Sequence, residues 1–246
     1  MSGHSKWASI KHQKAAKDAR RGASFTKFAN LISVAARGGA DPDTNFKLRL
    51  AVDSAKKAGV PNNNIDRAIR RGSGQDDAGT FEEITYEGYG PNGVAVMVET
   101  ATDNRNRTGP EVRSAFSKHG GSLGTTGSVA FQFTQRGVIV INAKDLEAAT
   151  MDAIEAGAED VEEGEGQLIV YTKPTDLDVV RKGLTAAGYT VEKAELSFEP
   201  NTTIEITDEA VAGKLMRLMD ALDELDDVTA TYANFDIAPE LMERLG

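Results

Sequence analysis

Cysteine and histidine set the first bound on the chemistry open to this chain. It has no cysteine and three histidines, His4, His12 and His119. Disulfides, thiolate metal sites and cysteine nucleophiles are excluded, and imidazole catalysis or zinc binding has little to draw on. Two glycine motifs match catalytic or cofactor patterns. Gly88-Tyr89-Gly90-Pro91-Asn92-Gly93 fits G-x-G-x-x-G. A dinucleotide site needs a helix next, whose N-terminal amides receive the pyrophosphate. Val94-Ala95-Val96-Met97-Val98 follows instead, a strand pattern, so the glycines read as a hairpin turn. Gly120-Gly121-Ser122-Leu123-Gly124 fits G-x-S-x-G. A nucleophile elbow runs from strand through serine to helix, and here the order is reversed. Gly120 to Gly127 also lacks the Lys-Ser/Thr pair of a P-loop, although its backbone amides could offer themselves to a phosphate. The carboxylates of Glu159 to Glu165 come without histidine and are interrupted by glycine, a solvated hairpin rather than a metal cage. No catalytic residue, metal site or cofactor is expected.

The basic residues carry more information. Residues 1–75 hold 15 Lys+Arg against 5 Asp+Glu, a net of +10, while the remainder holds 13 against 33, a net of −20. The overall charge of −10 describes neither part. Such a split suggests a basic module for a polyanion carried on an acidic body. The first residues supply Lys6, Lys11, Lys14, Lys17, Arg20 and Arg21 around His12, with Lys27 beyond them. Trp7, the single tryptophan, lies beside Ile10. It can anchor this arm on the body or stack on a base. A second candidate is Thr102-Asp103-Asn104-Arg105-Asn106-Arg107. Asp and Asn suit turns and caps, whereas two arginine forks suit phosphate or carboxylate, and both readings stand. Arg105 and Arg107 are expected to serve contact rather than stability.

These residues must be positioned by folded elements. At 246 residues the chain has room for two or three domains. The arm, part helical, ends at Gly22. Phe25, Phe28, Ala29, Ile32 and Ala36 then recur at helical spacing after a Ser24 cap and stop at Gly38-Gly39. A second helix spans about 45–58, and a third starts from an Asn62 cap and runs to Gly72. Gly72 to Gly79 has linker composition. Strands follow at 84–86 and 94–100, then a helix capped by Thr108-x-x-Glu111 with Pro110 in its first turn, then a strand at 129–133. Residues 137–198 read βαββαβ, a ferredoxin-like unit, with Thr175-x-x-Asp178 capping its second helix. A strand at 203–206, a helix carrying Val211, Leu215, Leu218, Leu222 and Leu225, and a strand at 228–235 complete the pattern. The expected domains are 1–75, basic and helical; 80–135 with 200–246, a split α+β domain; and 136–199, inserted within it. The apolar runs are too short to span a bilayer and no apolar segment follows Met1, so a cytoplasmic protein is expected.

Gly3-His4-Ser5-Lys6-Trp7-Ala8-Ser9-Ile10-Lys11-His12 and Lys14-Ala15-Ala16-Lys17-Asp18-Ala19-Arg20-Arg21-Gly22 resemble the start of the YebC/PmpR family. So do Tyr86-Glu87-Gly88-Tyr89-Gly90-Pro91, Thr102 to Thr108, and Phe116-Ser117-Lys118-His119-Gly120-Gly121. The similarity runs along essentially the whole chain. It implies an α+β multidomain fold: an N-terminal helical domain and two α+β (ferredoxin-like) domains, one inserted in the other, around a cleft. It also implies a non-enzymatic regulator of gene expression, since bacterial members are described as DNA-binding transcriptional regulators. Other members act on the ribosome, so a translation factor contacting rRNA or tRNA through the basic domain is the alternative. The partners expected are DNA or ribosomal RNA, with the ribosome or a protein on the acidic domains, and no membrane. The candidate nucleic-acid-binding residues are Lys6, Trp7, Lys11, His12, Lys14, Lys17, Arg20, Arg21, Lys27, Arg105 and Arg107.

Overall fold

The computed structural model of the protein describes residues 25–75, 81–164, 166–238 and 241. The arm and the Ser24 cap lie outside the described residues. Three short helices open the described chain: α1 (Phe25–Ala36), α2 (Phe46–Lys57) and α3 (Asn62–Gly72). Helices this short gain their stability from packing rather than propensity. Phe28, Ile32 and Ala36 meet Leu48, Val52 and Ala55 of α2 and Ile65 and Ala68 of α3 in one apolar cluster. Asn45 joins α1 to α2. Its Oδ1 accepts the Leu48 N–H at 3.1 Å, and its Nδ2 donates to the carbonyls of Ala35 and Gly39. At α3 the expected cap shifts by one residue. Pro61 holds the cap position and Asn62 is already helical, because proline's fixed φ suits a helix entry without a capping side chain.

The described residues form two compact units, 25–133 with 200–241, and 134–199. In the first, β1 (Glu82–Tyr89) and β2 (Ala95–Thr102) pair antiparallel around a tight turn at Pro91–Gly93, as the hairpin reading requires. Helix α4 (Arg105–Lys118) leads to β3 (Ser122–Leu123), which pairs with β1. After the insertion come β8 (Ile204–Ile206), α7 (Glu209–Asp223), β9 (Val228–Ala233) and β10 (Phe235–Ile237). The sheet order is β3-β1-β2-β9, and β8 pairs parallel with β10. The strand expected at 228–235 is therefore two strands. Buried Asn234 breaks it: its Oδ1 accepts the Ala95 N–H at 2.8 Å, and its own carbonyl accepts from Ile204. The strand expected at 129–133 is also corrected. Residues Ala130–Gln132 form a 3₁₀ turn, and the strand starts only at Phe133.

The second unit contains β4 (Phe133–Asn142), α5 (Leu146–Glu155), β5 (Asp160–Gly164), β6 (Gln167–Thr172), α6 (Leu177–Ala186) and β7 (Thr190–Pro200). The strand order β5-β6-β4-β7 with two helices is the ferredoxin-like arrangement. Val138, Val140, Ile169 and Tyr171 form its fully buried sheet face. Thr175 does not cap α6. Its hydroxyl bonds Asp176, which takes the cap position, and Asp178 turns to Arg181 and Lys182 within the helix. The chain leaves the first unit at Gln132 and returns at Asn201, whose N–H donates to the Gln132 carbonyl at 2.8 Å. The molecule is thus an α+β protein with one unit threaded through another.

Close packing of α1 on α3 depends on Gly72. A Cβ there would lie 1.9 Å from the Ser33 carbonyl oxygen, while Ser33 Oγ donates to Ala68 from the same side. Gly72→Ala should therefore force the two helices apart and cost about 1–3 kcal/mol in urea or thermal unfolding. An unfolding curve matching the parent protein would overturn this account of the contact.

Candidate nucleic-acid interface

The Thr102–Thr108 segment is built around one carboxylate. Asp227, 4% exposed, ends the turn that leads into β9. Arg107 reaches it with Nη2 at 2.7 and 2.9 Å and Nε at 3.2 Å. The hydroxyls of Thr108 and Thr102 lie 2.6 and 3.1 Å from the same Asp227 oxygen. The Asp227 carbonyl accepts the Ala101 N–H. This geometry moves the start of α4. Asn104 caps it by accepting the Arg107 N–H, so the helix begins three residues before the expected Thr108 cap. Thr108 faces Asp227 instead, and Pro110 falls in the second turn.

Arg107 is thus a structural ligand of Asp227, contrary to the expectation that it serves contact alone. It also meets Asp103, which in turn accepts from Arg71 of α3 at 2.9 Å. Lys27 is likewise engaged, its ammonium donating to the Asp223 carbonyl, and buried Asn30 donates to the Asp226 carbonyl. The helical segment is therefore tied to the α7–β9 turn. Arg105 is exposed on the first turn of α4 and has no ion pair among the described residues. The phenol of Tyr86 is buried near it without a hydrogen-bond partner among the described residues. Burial pushes that phenol up, Arg105 draws it down and Asp227 raises it again. Lys6, Trp7, Lys11, His12, Lys14, Lys17, Arg20 and Arg21 lie outside the described residues.

Sequence reasoning passed over other cations. Arg37, Lys47, Lys56, Arg67 and Arg70 are exposed on the helical segment, with no side-chain partner among the described residues. Lys56 and Arg70 occupy last turns, where the helix dipole favours cations, yet Arg37, Lys47 and Arg67 have no such explanation. Their signal was the charge balance of residues 1–75, not any spacing. Among the described residues no group of His, Asp and Glu could hold a metal ion, and no helix is long and apolar enough to cross a membrane.

The glycine loop does offer backbone amides to an anion, and the anion is internal. Glu87, 4% exposed, accepts the N–H groups of Gly127, Val129 and Ala130 at 2.6–2.7 Å. These bonds help explain why residues 129–132 are not a strand, since Glu87 takes the amides of Val129 and Ala130 and the Gln132 N–H closes the turn on the Val129 carbonyl. Gly127 adopts φ +85°, which a side chain would strain. Burial alone would push the Glu87 carboxyl up. The three N–H bonds more than offset it and hold the group below its ordinary 4.5.

These features define an α+β multidomain protein whose helical part exposes Arg37, Lys47, Lys56, Arg67 and Arg70 without side-chain partners among the described residues. The profile of the TACO1/YebC protein N-terminal domain matches residues 5–75, and that of the TACO1/YebC second and third domain matches residues 81–235. The chain belongs to the TACO1/YebC family. A probable transcriptional regulatory protein of Rubrobacter xylanophilus is 54% identical over 98% of both chains. One of the same description from Persephonella marina is 51% identical over 100% of both. The crystal structure of a conserved hypothetical protein, Aq1575 from Aquifex aeolicus, superposes with a TM-score of 0.82 at 45% identity, covering 94% of this chain and 93% of that one.

Two measurements separate structural from surface roles. Asp227→Ala should cost about 1–3 kcal/mol, because it removes the buried acceptor shared by Arg107, Thr102 and Thr108. Arg105→Ala should change stability by no more than about 0.5 kcal/mol. Equal effects in urea unfolding would contradict the assignment. For Glu87 the folded value is the lower one, so its stabilisation is complete above about pH 4.5 and lost as pH falls through the folded value. Glu87→Gln should flatten that acid limb and cost about 1–3 kcal/mol at pH 7, read from unfolding at a series of pH values.

Proposed function

We propose that this chain is a nucleic-acid-binding regulator of gene expression that acts without catalysis, binding DNA in the cytoplasm to control transcription. The carrying observation is the set of exposed cations on the helical segment, continuous in sequence with the Lys- and Arg-rich arm. Relatives of about 50% identity named as probable transcriptional regulatory proteins support the regulatory class. Lys6, Lys11, Lys14, Lys17, Arg20 and Arg21 supply phosphate contacts, Trp7 and His12 sit among them, and Arg105 extends the basic surface. Phosphate contacts position a protein without reading sequence, so selectivity comes from DNA shape and a few base contacts. Residues 134–199, with 6 Lys+Arg against 14 Asp+Glu, repel a polyanion and suit a protein partner.

Two experiments test this reading. Binding of the full chain to duplex DNA should follow counterion release. With about four to six arm cations on phosphates, log K should fall against log salt with a slope of about −3 to −5, and each Lys or Arg to Ala change should lower it by just under one. A flat salt response would reduce the cations to a solvated surface. Crosslinking in cells and sequencing of the bound nucleic acid should return promoter DNA. Recovery of ribosomal RNA alone would replace transcription by translation as the process regulated.

A further inference from the structure

Asp103 lies between two arginines that keep their places without it. Its Oδ2 accepts from Arg71 Nη2 at 2.9 Å and its Oδ1 from Arg107 Nη2 at 3.2 Å. The Arg71 guanidinium lies over the ring of buried Phe81, 4.1 Å from its centre. Its Nε is buried with no acceptor among the described residues, which leaves the Nη groups to face outward ligands. The Arg107 fork is set by Asp227 through Nε and Nη2. Ring stacking on one side and a multidentate carboxylate on the other therefore hold both guanidinium groups in position. Asp103 has no comparable fixture. It stands on the turn between β2 and α4, its side chain 38% exposed, and the two arginines are themselves 30% and 45% exposed.

A carboxylate that gives one oxygen to each of two arginine forks offers what a phosphodiester offers, a single negative charge on two oxygens. An exposed ion pair of this kind is weak in water. A phosphate arriving on a polyanion brings counterion release that Asp103 does not have. Arg70, adjacent to Arg71, and Arg105, two residues before Arg107, are both exposed and extend the positive surface on either element. We infer that Arg71 and Arg107 form a phosphate clamp for a nucleic-acid backbone, and that Asp103 is its internal occupant, displaced when a phosphate enters. This rests on the nucleic-acid reading above and adds to it a defined site and a built-in competitor.

The test uses the full chain and the Asp103→Asn variant, which keeps shape and removes the charge. Binding of a fluorescent duplex oligonucleotide is titrated at several salt concentrations. The phosphate enters the clamp in both proteins, so the slope of log K against log salt should stay close to the parent's, while loss of the competing carboxylate should tighten binding about two- to fivefold at each salt concentration. Arg71→Lys in the same background should abolish the gain, because an ammonium lacks the fork. Asp103→Glu should bind like the parent protein. An unchanged affinity in a folded Asp103→Asn variant overturns the proposal. A second readout does not depend on nucleic acid, and its first arm uses the parent protein alone. In NMR spectra of the arginine Nε–Hε groups, inorganic pyrophosphate should shift Arg71 and Arg107 in the parent protein, and at lower concentration in Asp103→Asn. Absence of those shifts overturns the clamp. Shifts with pyrophosphate but no oligonucleotide binding overturn the nucleic-acid reading and leave the clamp in place.

Discussion

A buried carboxylate at position 227 organises much of the first unit. It takes a guanidinium from α4, hydroxyls from the end of β2 and from α4, and through its own carbonyl the amide of Ala101. Without those donors the group would be a desolvated charge, and without the group the guanidinium and the two hydroxyls would lose the acceptor they share. The start of α4, the end of β2 and the entry to β9 are therefore fixed as one arrangement. The helical segment attaches to the same place, through the carbonyls of Asp223 and Asp226 and through Arg71 on Asp103.

Glu87 plays the corresponding part at the other end of β1. A carboxylate inside a nest of three amides closes the loop that a phosphate-binding reading would have left open. The loop has the chemistry of an anion site, and the chain supplies the anion. Asp103 between its arginines repeats that theme at the surface, where the occupant is exchangeable because water and salt reach it.

The sequence made the periodic parts legible. Phe28, Ile32 and Ala36 announced a helix that the structure contains, and the βαββαβ order of 137–198 appears as observed. These features depend on neighbours within a few residues. The misjudged boundaries depend on distant partners. Thr108 resembles a cap until Asp227, 119 residues away, claims its hydroxyl. Residues 129–133 resemble a strand until Glu87 takes the amides of Val129 and Ala130, and 228–235 resemble one strand until Asn234 bonds Ala95. At the candidate interface the charge balance pointed to the helical part, but it could not tell Arg105 from Arg107. Asp227 stood in an acidic run, Leu225-Asp226-Asp227-Val228, that looks solvated.

The threading of one unit through the other also orders events during synthesis. β2 needs β9 as its neighbour, and Thr229 bonds the Glu99 carbonyl across 130 residues of chain. Until those last strands leave the ribosome, one edge of β2 stays open and Arg107 has no Asp227. Residues 134–199 carry their own strands and are made before residues 200–241, so they can fold while the host sheet is still incomplete. Long-range pairing of this kind is slow and leaves an apolar strand exposed. The finished ferredoxin-like unit shortens the effective loop, because its two connections meet at Gln132 and Asn201 and bring the distant halves of the host within reach.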